Sequence, residues 1–151
     1  MAIVVKNVFK PPAHPPGEAM AEQVGRSVIS LSSNEHLYTE TGAPTVIPLF
    51  AIPADTFIVD VVLEVSTTYD GTTPVMTIGD GGQADRFMND TLAALGTAGF
   101  KSAKEGATLG AGGHLYTSDD TLDMTWTTGG GASQGAGKVH IFYVRDWSAY
   151  Q

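Results

Sequence analysis

Residues 56–69, TFIVDVVLEVSTTY, restrict the possible folds of this chain more than any other stretch. Apolar side chains recur at every second position, and successive side chains of a β-strand point to opposite faces. The pattern predicts a long strand with one fully apolar face and one mixed face. The apolar face comprises Phe57, Val59, Val61, Leu63 and Val65, and the mixed face comprises Ile58, Asp60, Val62 and Glu64. Such a strand is typical of a sheet that covers a hydrophobic core.

Glycine and proline interrupt the rest of the sequence so often that long helices are disfavoured. The 151 residues include 18 glycines and 8 prolines, and both residues destabilise helix interiors. Further short strands are predicted at residues 26–32, 43–55, 74–79, 114–128 and 138–147. We therefore expect an all-β protein, an antiparallel β-sandwich or jelly-roll-like single domain over residues 26–151, preceded by an extended arm.

Within these segments the apolar periodicity also predicts which side chains form the core. Prolines within residues 43–55 predict an edge strand or a bent strand. Residues 114–128 are expected to form a hairpin or a pair of strands, residues 88–98 one helical turn that begins at Asn89 or Asp90, and residues 129–137 a flexible loop. The side chains expected to face the core are Met76, Ile78, Leu122, Met124 and Trp126.

Residues 1–25 differ in composition from the predicted domain. AIVVKNVF has the character of a short strand, and four prolines follow within Pro11–Pro16. Proline fixes φ and removes an amide donor, so this piece is extended and cannot lie inside a sheet. The segment is therefore predicted either to act as a linker or to lie across a neighbouring subunit. We favour the second alternative, because its apolar residues would gain from burial.

The charge and the missing cysteines exclude several classes of function. A net charge of −8 and only 8 basic residues argue against nonspecific nucleic-acid binding. Without cysteine, disulfides, thiolate zinc sites and thiol nucleophiles are excluded. No stretch approaches the ~20 apolar residues of a membrane span, and we expect neither a secretion signal nor a membrane partner.

The stretch MTIGDGGQADRFM has three possible interpretations: a phosphate-binding loop, a calcium site or a turn. Ala84 stands where the third glycine of a G-x-G-x-x-G loop would be, and Asp80 and Asp85 would repel a phosphate. The acidic residues also lack the spacing of a twelve-residue calcium loop. A turn is favoured, with the acids accepting hydrogen bonds from its amides. Arg86 is expected to form a surface ion pair with one of them, which stabilises little.

No catalytic or metal-binding motif emerges from the remaining sequence. The histidines His14, His36, His114 and His140 include no pair at the spacing of metal ligands, although convergence of three in space remains open. His140 is expected to be a hydrogen-bonded histidine of the interior or of an interface. We therefore expect no cofactor, no metal and no enzymatic activity.

Two segments resemble a known protein family. The run IPADTFIVDVVLEVSTTYDG followed by PVMTIGDGGQADRFM, together with the close GAGKVHIFYVRDW, resembles small virion proteins of tailed bacteriophages. The resemblance covers about residues 45–146, and its motifs are structural. Within this group the chain resembles capsid decoration (cement) proteins. This resemblance implies a β-sandwich that is often a homotrimer. It also implies a protein that binds the major capsid protein on the virion surface and is assembled in the host cytoplasm. The alternative within the resemblance is a head-fibre or tail-associated module that binds carbohydrate or a receptor.

Two sets of contact residues follow from this resemblance. The arm is expected to contact the capsid, and the last strand with the C-terminal tail is expected to contact other copies. The capsid-contact residues are Val4, Val5, Val8, Phe9, Pro11, Pro12, Pro15 and Pro16, and the subunit-contact residues are Phe142, Val144, Trp147 and Tyr150.

Overall fold

The computed structural model describes residues 28–40, 45–127 and 129–145. The predicted arm and the last residues of the chain lie outside these ranges. Strands dominate the described residues, and the two helical elements among them are short 3-10 helices at Tyr38–Glu40 and Ala103–Glu105. The strands are β1 (Ile29–Ser32), β2 (His36–Leu37), β3 (Thr45–Ile52), β4 (Thr56–Thr67), β5 (Val75–Asp80), β6 (Gln83–Met88), β7 (Gly99–Ser102), β8 (His114–Tyr116), β9 (Asp120–Thr127) and β10 (Ala136–Val144).

The strands form two antiparallel sheets. One has six strands, with β1, β10, β4 and β7 in that order, while β2 also pairs with β10 and β8 with β4. The other has four strands in the order β3, β9, β5 and β6. The prediction of an all-β sandwich is confirmed. β3, which contains Pro48 and a register shift after it, lies at an edge of its sheet, as its prolines predicted.

The core lies between the sheets and is almost entirely apolar. Side chains of β4 and β10 in one sheet and of β5 and β9 in the other are buried. Trp126 packs against Tyr69 with its ring edge-on, at 5.2 Å between ring centroids. Each large side chain buried in this way stabilises the fold by about 1.5–3 kcal/mol. The predicted core positions are confirmed for Met76, Ile78, Leu122, Met124 and Trp126.

The predicted phase of β4 is wrong at its beginning. Ile58 is fully buried, whereas Phe57 and Val59 are only half-buried. The cause is a β-bulge: Phe142 opposes Asp60 and Tyr143 opposes Ile58, which leaves Val59 as an extra residue. One extra residue moves every preceding side chain to the other face. From Val61 onward the predicted apolar face is confirmed.

Residues 114–128 do not form a hairpin. The chain passes there from one sheet to the other. β8 pairs with β4 in the six-stranded sheet, while β9 pairs with β3 and β5 in the four-stranded sheet. The two segments were correctly recognised as strands, but local sequence carries no information on which sheet a strand joins. The helical turn predicted after β6 is confirmed, since Asn89 accepts hydrogen bonds from the amides of Leu92, at 2.9 Å, and Ala93.

Asp70 anchors the glycine-rich loop before β10. Its carboxylate accepts hydrogen bonds from the amides of Ser133 (2.7 Å) and Gln134 (3.0 Å) and from the Ser133 hydroxyl (2.6 Å). These donors lower the pKa of Asp70 to about 2. The interpretation of this segment as a flexible loop did not anticipate these contacts.

Candidate functional site

The acidic turn between β5 and β6 is the first candidate, because the sequence concentrated charge and glycine there. Asp80 ends β5 and is 5% exposed. Its Oδ1 accepts hydrogen bonds from the amides of Gly82 (3.0 Å) and Gln83 (2.8 Å), and Tyr116 donates its hydroxyl to Oδ2 at 2.8 Å. The Arg86 guanidinium pairs with both carboxylate oxygens. The predicted turn and its acid-to-amide bonds are confirmed.

These contacts assign the turn a structural role. Both carboxylate oxygens of Asp80 accept hydrogen bonds from the backbone and side chains of the chain itself. The expectation of a weak surface ion pair is wrong, because Asp80 is buried. Among the described residues no group of three or more metal-ligating side chains is found.

The outer face of the six-stranded sheet is the second candidate. It consists of the side chains that point away from the core on β1, β10, β4 and β7, as the cross-strand pairs define them. We call these ten residues the outer face. They are Ser30, Ser32, Asp60, Val62, Glu64, Phe100, Ser102, Lys138, His140 and Phe142. The surface mixes apolar, hydroxyl and oppositely charged groups on four neighbouring strands.

A hydrogen-bonded chain of side chains crosses three strands of the outer face. The Ser32 hydroxyl lies 2.7 Å from Nδ1 of His140, and Nε2 of His140 lies 2.8 Å from a carboxylate oxygen of Glu64. An ionised carboxylate only accepts, so Nε2 carries the proton. In the neutral imidazole Nδ1 then accepts the Ser32 hydroxyl proton. The expectation of a hydrogen-bonded histidine at position 140 is confirmed.

The catalytic triad of a serine hydrolase also consists of a hydroxyl, an imidazole and a carboxylate. A catalytic role of Ser32, His140 and Glu64 is therefore an alternative. Such a site needs free backbone amides beside the nucleophile to hold an oxyanion. The amide that follows Ser32 is already used: Ser33 donates it to the carbonyl of Val139 at 2.8 Å. That amide is thus not available as an oxyanion donor, and the two hydrogen bonds of His140 form a brace that ties β1, β10 and β4 together.

Phe100 is the most exposed apolar side chain of the outer face, at 70% exposure. Its ring reaches over β4 toward His140, with 6.4 Å between the ring centroids. Exposed aromatic side chains on a partly apolar surface are typical of protein contacts. Sequence analysis missed Phe100, because residues 99–102 carry no alternation long enough to predict a strand.

The structure places only part of the predicted contact residues. Phe142 lies half-buried on the outer face, next to Ser30 and Asp60. Val144 is buried within the chain. Trp147, Tyr150 and all the predicted capsid-contact residues of the arm lie outside the described residues.

Comparison with known proteins gives a likeness in fold. No protein-family model and no curated protein matches the sequence. Within the described residues no helix is long and apolar enough to cross a membrane. The structure is similar to a chain from the cyanophage Pam1 capsid asymmetric unit. The match covers 91% of this chain and 95% of that chain, with a TM-score of 0.60 and 17% identity. The match to a chain of the Ralstonia phage GP4 capsid covers 91% of this chain and 92% of that chain, with a TM-score of 0.53 and 15% identity. The chain thus shares its β-sandwich fold with chains of two phage capsid structures.

Proposed function

We propose that this chain is a structural virion protein, a decoration protein that binds the outer surface of a phage head and bridges major capsid subunits. The observation that carries the proposal is the fold likeness over 91% of the chain to chains in two phage capsid structures. The likeness extends over nearly the full length of both neighbours, so it concerns a whole sandwich. The buried network around Asp80 supports a structural role rather than a catalytic one.

The outer face supplies a surface for contacts between copies. It carries Phe100 and Phe142 within a frame of hydroxyl and charged groups, and its geometry is fixed by the Ser32–His140–Glu64 brace. Rigid, partly apolar surfaces lose little conformational entropy on association. We propose that this face packs against other copies in a homo-oligomer, for which a trimer is favoured. Phe142 is the member of the predicted subunit-contact set that this proposal retains on the surface.

The arm is proposed to contact the capsid. The prolines of its sequence favour an extended conformation, and its apolar residues favour burial. Many copies held in a symmetric array add their individually weak contacts, and the shell then resists the pressure of packaged DNA. A chain without residues 1–25 that bound heads at full affinity would remove the arm from this proposal.

The alternative function is a fibre or tail module that binds carbohydrate or a receptor, and the exposed ring of Phe100 is the observation in its favour. An exposed tryptophan could also stack on a sugar ring, but Trp126 is buried in the core and gives the alternative no support.

Copy number distinguishes the two functions. Intact particles would be separated on a density gradient, and this chain would be quantified against the major capsid protein. A ratio near that of the capsid protein is expected for a decoration protein. A few copies per particle would favour the fibre or tail module, and absence from particles would overturn both.

A further inference from the structure

Within the described residues, the edge of β1 that faces away from β10 has no partner strand, and it is an apolar surface that the proposed function leaves unexplained. β1 pairs with β10 on one side and ends the six-stranded sheet on the other. Ile29 and Leu31 oppose Tyr143 and Ile141, which places them on the core side of the sheet, yet they are 41% and 46% exposed. An exposed apolar edge strand is a template for pairing with another strand. The edge strand β3 carries Pro48 and a register shift, whereas β1 carries neither protection.

The chain itself contains a segment that matches this edge. Residues 1–27 lead directly to β1, and residues 2–9 read AIVVKNVF. β-Branched and aromatic residues favour an extended strand. Ile3, Val5 and Phe9 lie at odd positions and would share one face, with Asn7 as its polar member. An added strand gains backbone hydrogen bonds from the edge and apolar contact from one set of side chains.

The length of the connection allows this segment to return to its own chain. Pro11–Pro16 in polyproline conformation would span roughly 19 Å. Residues 17–27 can span up to roughly 36 Å, which exceeds that distance. A tethered segment is present at an effective concentration on the order of millimolar. This is well above the concentration of a second copy in dilute solution, so the chain's own segment is favoured as the occupant.

We propose that, in the free protein, residues 3–9 add to the β1 edge of their own chain as an antiparallel strand. The strand covers Ile29 and Leu31 and removes an edge at which copies would otherwise associate. The inference rests on the proposed function in one respect: the same residues are proposed to contact the capsid, so binding to a head has to displace them from β1.

Cross-linking of the free, full-length chain tests the proposal. The sequence contains no cysteine, so introduced thiols react alone. The double variant Val5→Cys with Leu31→Cys would be treated with a short bis-maleimide in a dilute equal mixture of ¹⁴N- and ¹⁵N-labelled chains. Val5→Cys with Val46→Cys is the matched control, since Val46 is an exposed apolar residue on β3, an edge strand of the four-stranded sheet.

The expected result is a severalfold higher yield for the Leu31 pair, with cross-linked peptides in which both halves carry the same label. Mixed-label peptides would assign the edge to a second copy, and equal yields for the two pairs would show no preference for β1. Either result overturns the proposal.

Hydrogen exchange gives a second, independent readout. Without an added strand, alternate amides of Ile29–Ser32 point away from β10 and exchange freely. With the strand in place all four are protected, and Val5→Pro in the full-length chain should speed exchange of the outward amides at least tenfold. Ala13→Pro, in the proline-rich piece, should not. An unchanged rate in Val5→Pro overturns the proposal. Neither measurement involves heads, so both are independent of the decoration role.

Discussion

At the scale of single residues, the side chain of Asp80 joins two strands that lie far apart in the sequence. Its carboxylate holds the turn that follows it, the side chain of Arg86 and the hydroxyl of Tyr116, thirty-six positions away. A buried carboxylate is stable only when its oxygens are fully hydrogen-bonded. The prediction of a weak surface pair failed because burial depends on β8, which covers Asp80 through Tyr116 and cannot be inferred from the turn.

Removal of the Tyr116 hydroxyl should destabilise the fold. Tyr116→Phe keeps the ring but leaves Oδ2 of Asp80 without one donor, and hydrogen bonds to charged groups contribute about 1.5–3 kcal/mol. The urea midpoint should fall accordingly. Tyr143→Phe is the control, since its hydroxyl has no hydrogen bond within the part of the chain that the structure describes, and it should change the free energy of unfolding by less than about 0.5 kcal/mol. Equal effects of the two variants would contradict the assigned role.

The pH dependence of stability should also report on Asp80. Burial raises the pKa of this carboxyl, but the donors Arg86, Tyr116 and the Gln83 amide outweigh it, and the net pKa lies below the ordinary 3.8. A lowered folded-state pKa gives stability that is complete above the unfolded value and is lost as pH falls through the folded value.

Unfolding measured from pH 6 downward should therefore show a loss of stability that begins near pH 4 and continues below it. The Asp80→Asn variant should lack the share of this stability loss that comes from protonation of Asp80. The share that comes from Asp70, whose pKa is also lowered, should remain. An identical pH profile in Asp80→Asn and the unchanged chain would refute the assignment.

At the scale of elements, the β5–β6 hairpin depends on a close backbone approach at Gly79. Ile78 opposes Met88 and Asp80 opposes Gln83, so β6 bulges across from Gly79. A Cβ at position 79 would lie 2.0 Å from the Gln83 carbonyl oxygen.

Gly79→Ala should thus cost about 3 kcal/mol or more, because backbone atoms would have to shift. Gly96→Ala is the matched control, since a Cβ there meets no atom within 4 Å, and it should be neutral or stabilising by up to about 1 kcal/mol. Thermal unfolding of both variants measures the difference. A mild Gly79→Ala variant would mean that the hairpin is not built in this way.

The exposed carboxylate of Asp70 holds the middle of the loop before β10, and backbone hydrogen bonds hold Gly130 and Gly135 on either side of it. Asp70→Ala removes the acceptor of three hydrogen bonds from Ser133 and Gln134. Amide exchange at Ser133 and Gln134 should accelerate severalfold, while exchange in the middle of β10 should stay unchanged. Unchanged exchange at both amides would show that other contacts hold this loop.

At the scale of the whole molecule, the outer face is the surface proposed for contacts between copies. Phe100 is 70% exposed on this face, and Leu109, at 72% exposure, lies in a loop outside it. Phe100→Ser should lower the association constant at least tenfold in sedimentation equilibrium, which corresponds to about 1.4 kcal/mol. Leu109→Ser removes a similarly exposed apolar side chain and should leave association unchanged. Equal effects would show that the outer face does not direct assembly.

The sequence alone predicted the features that depend on local spacing. The period of two in β4, β5 and β9 fixed the fold class and most of the core, and the glycines and acids of the β5–β6 turn identified a turn held by Asp80. Proline identified β3 as an edge strand. These predictions succeeded because strand periodicity and turn chemistry act over a few residues.

Only the tertiary structure decided the features that join distant strands. The bulge at Val59 reverses the phase of β4, and it is set by pairing with Phe142 and Tyr143 on the last strand. Three other features likewise depend on how the strands pair and the two sheets stack. They are the separation of β8 from β9, the burial of Asp80, and the hydrogen bonds that join Ser32 and Glu64 to His140. A single sequence specifies its local periods directly, whereas the register between strands follows from the packing of the whole sandwich.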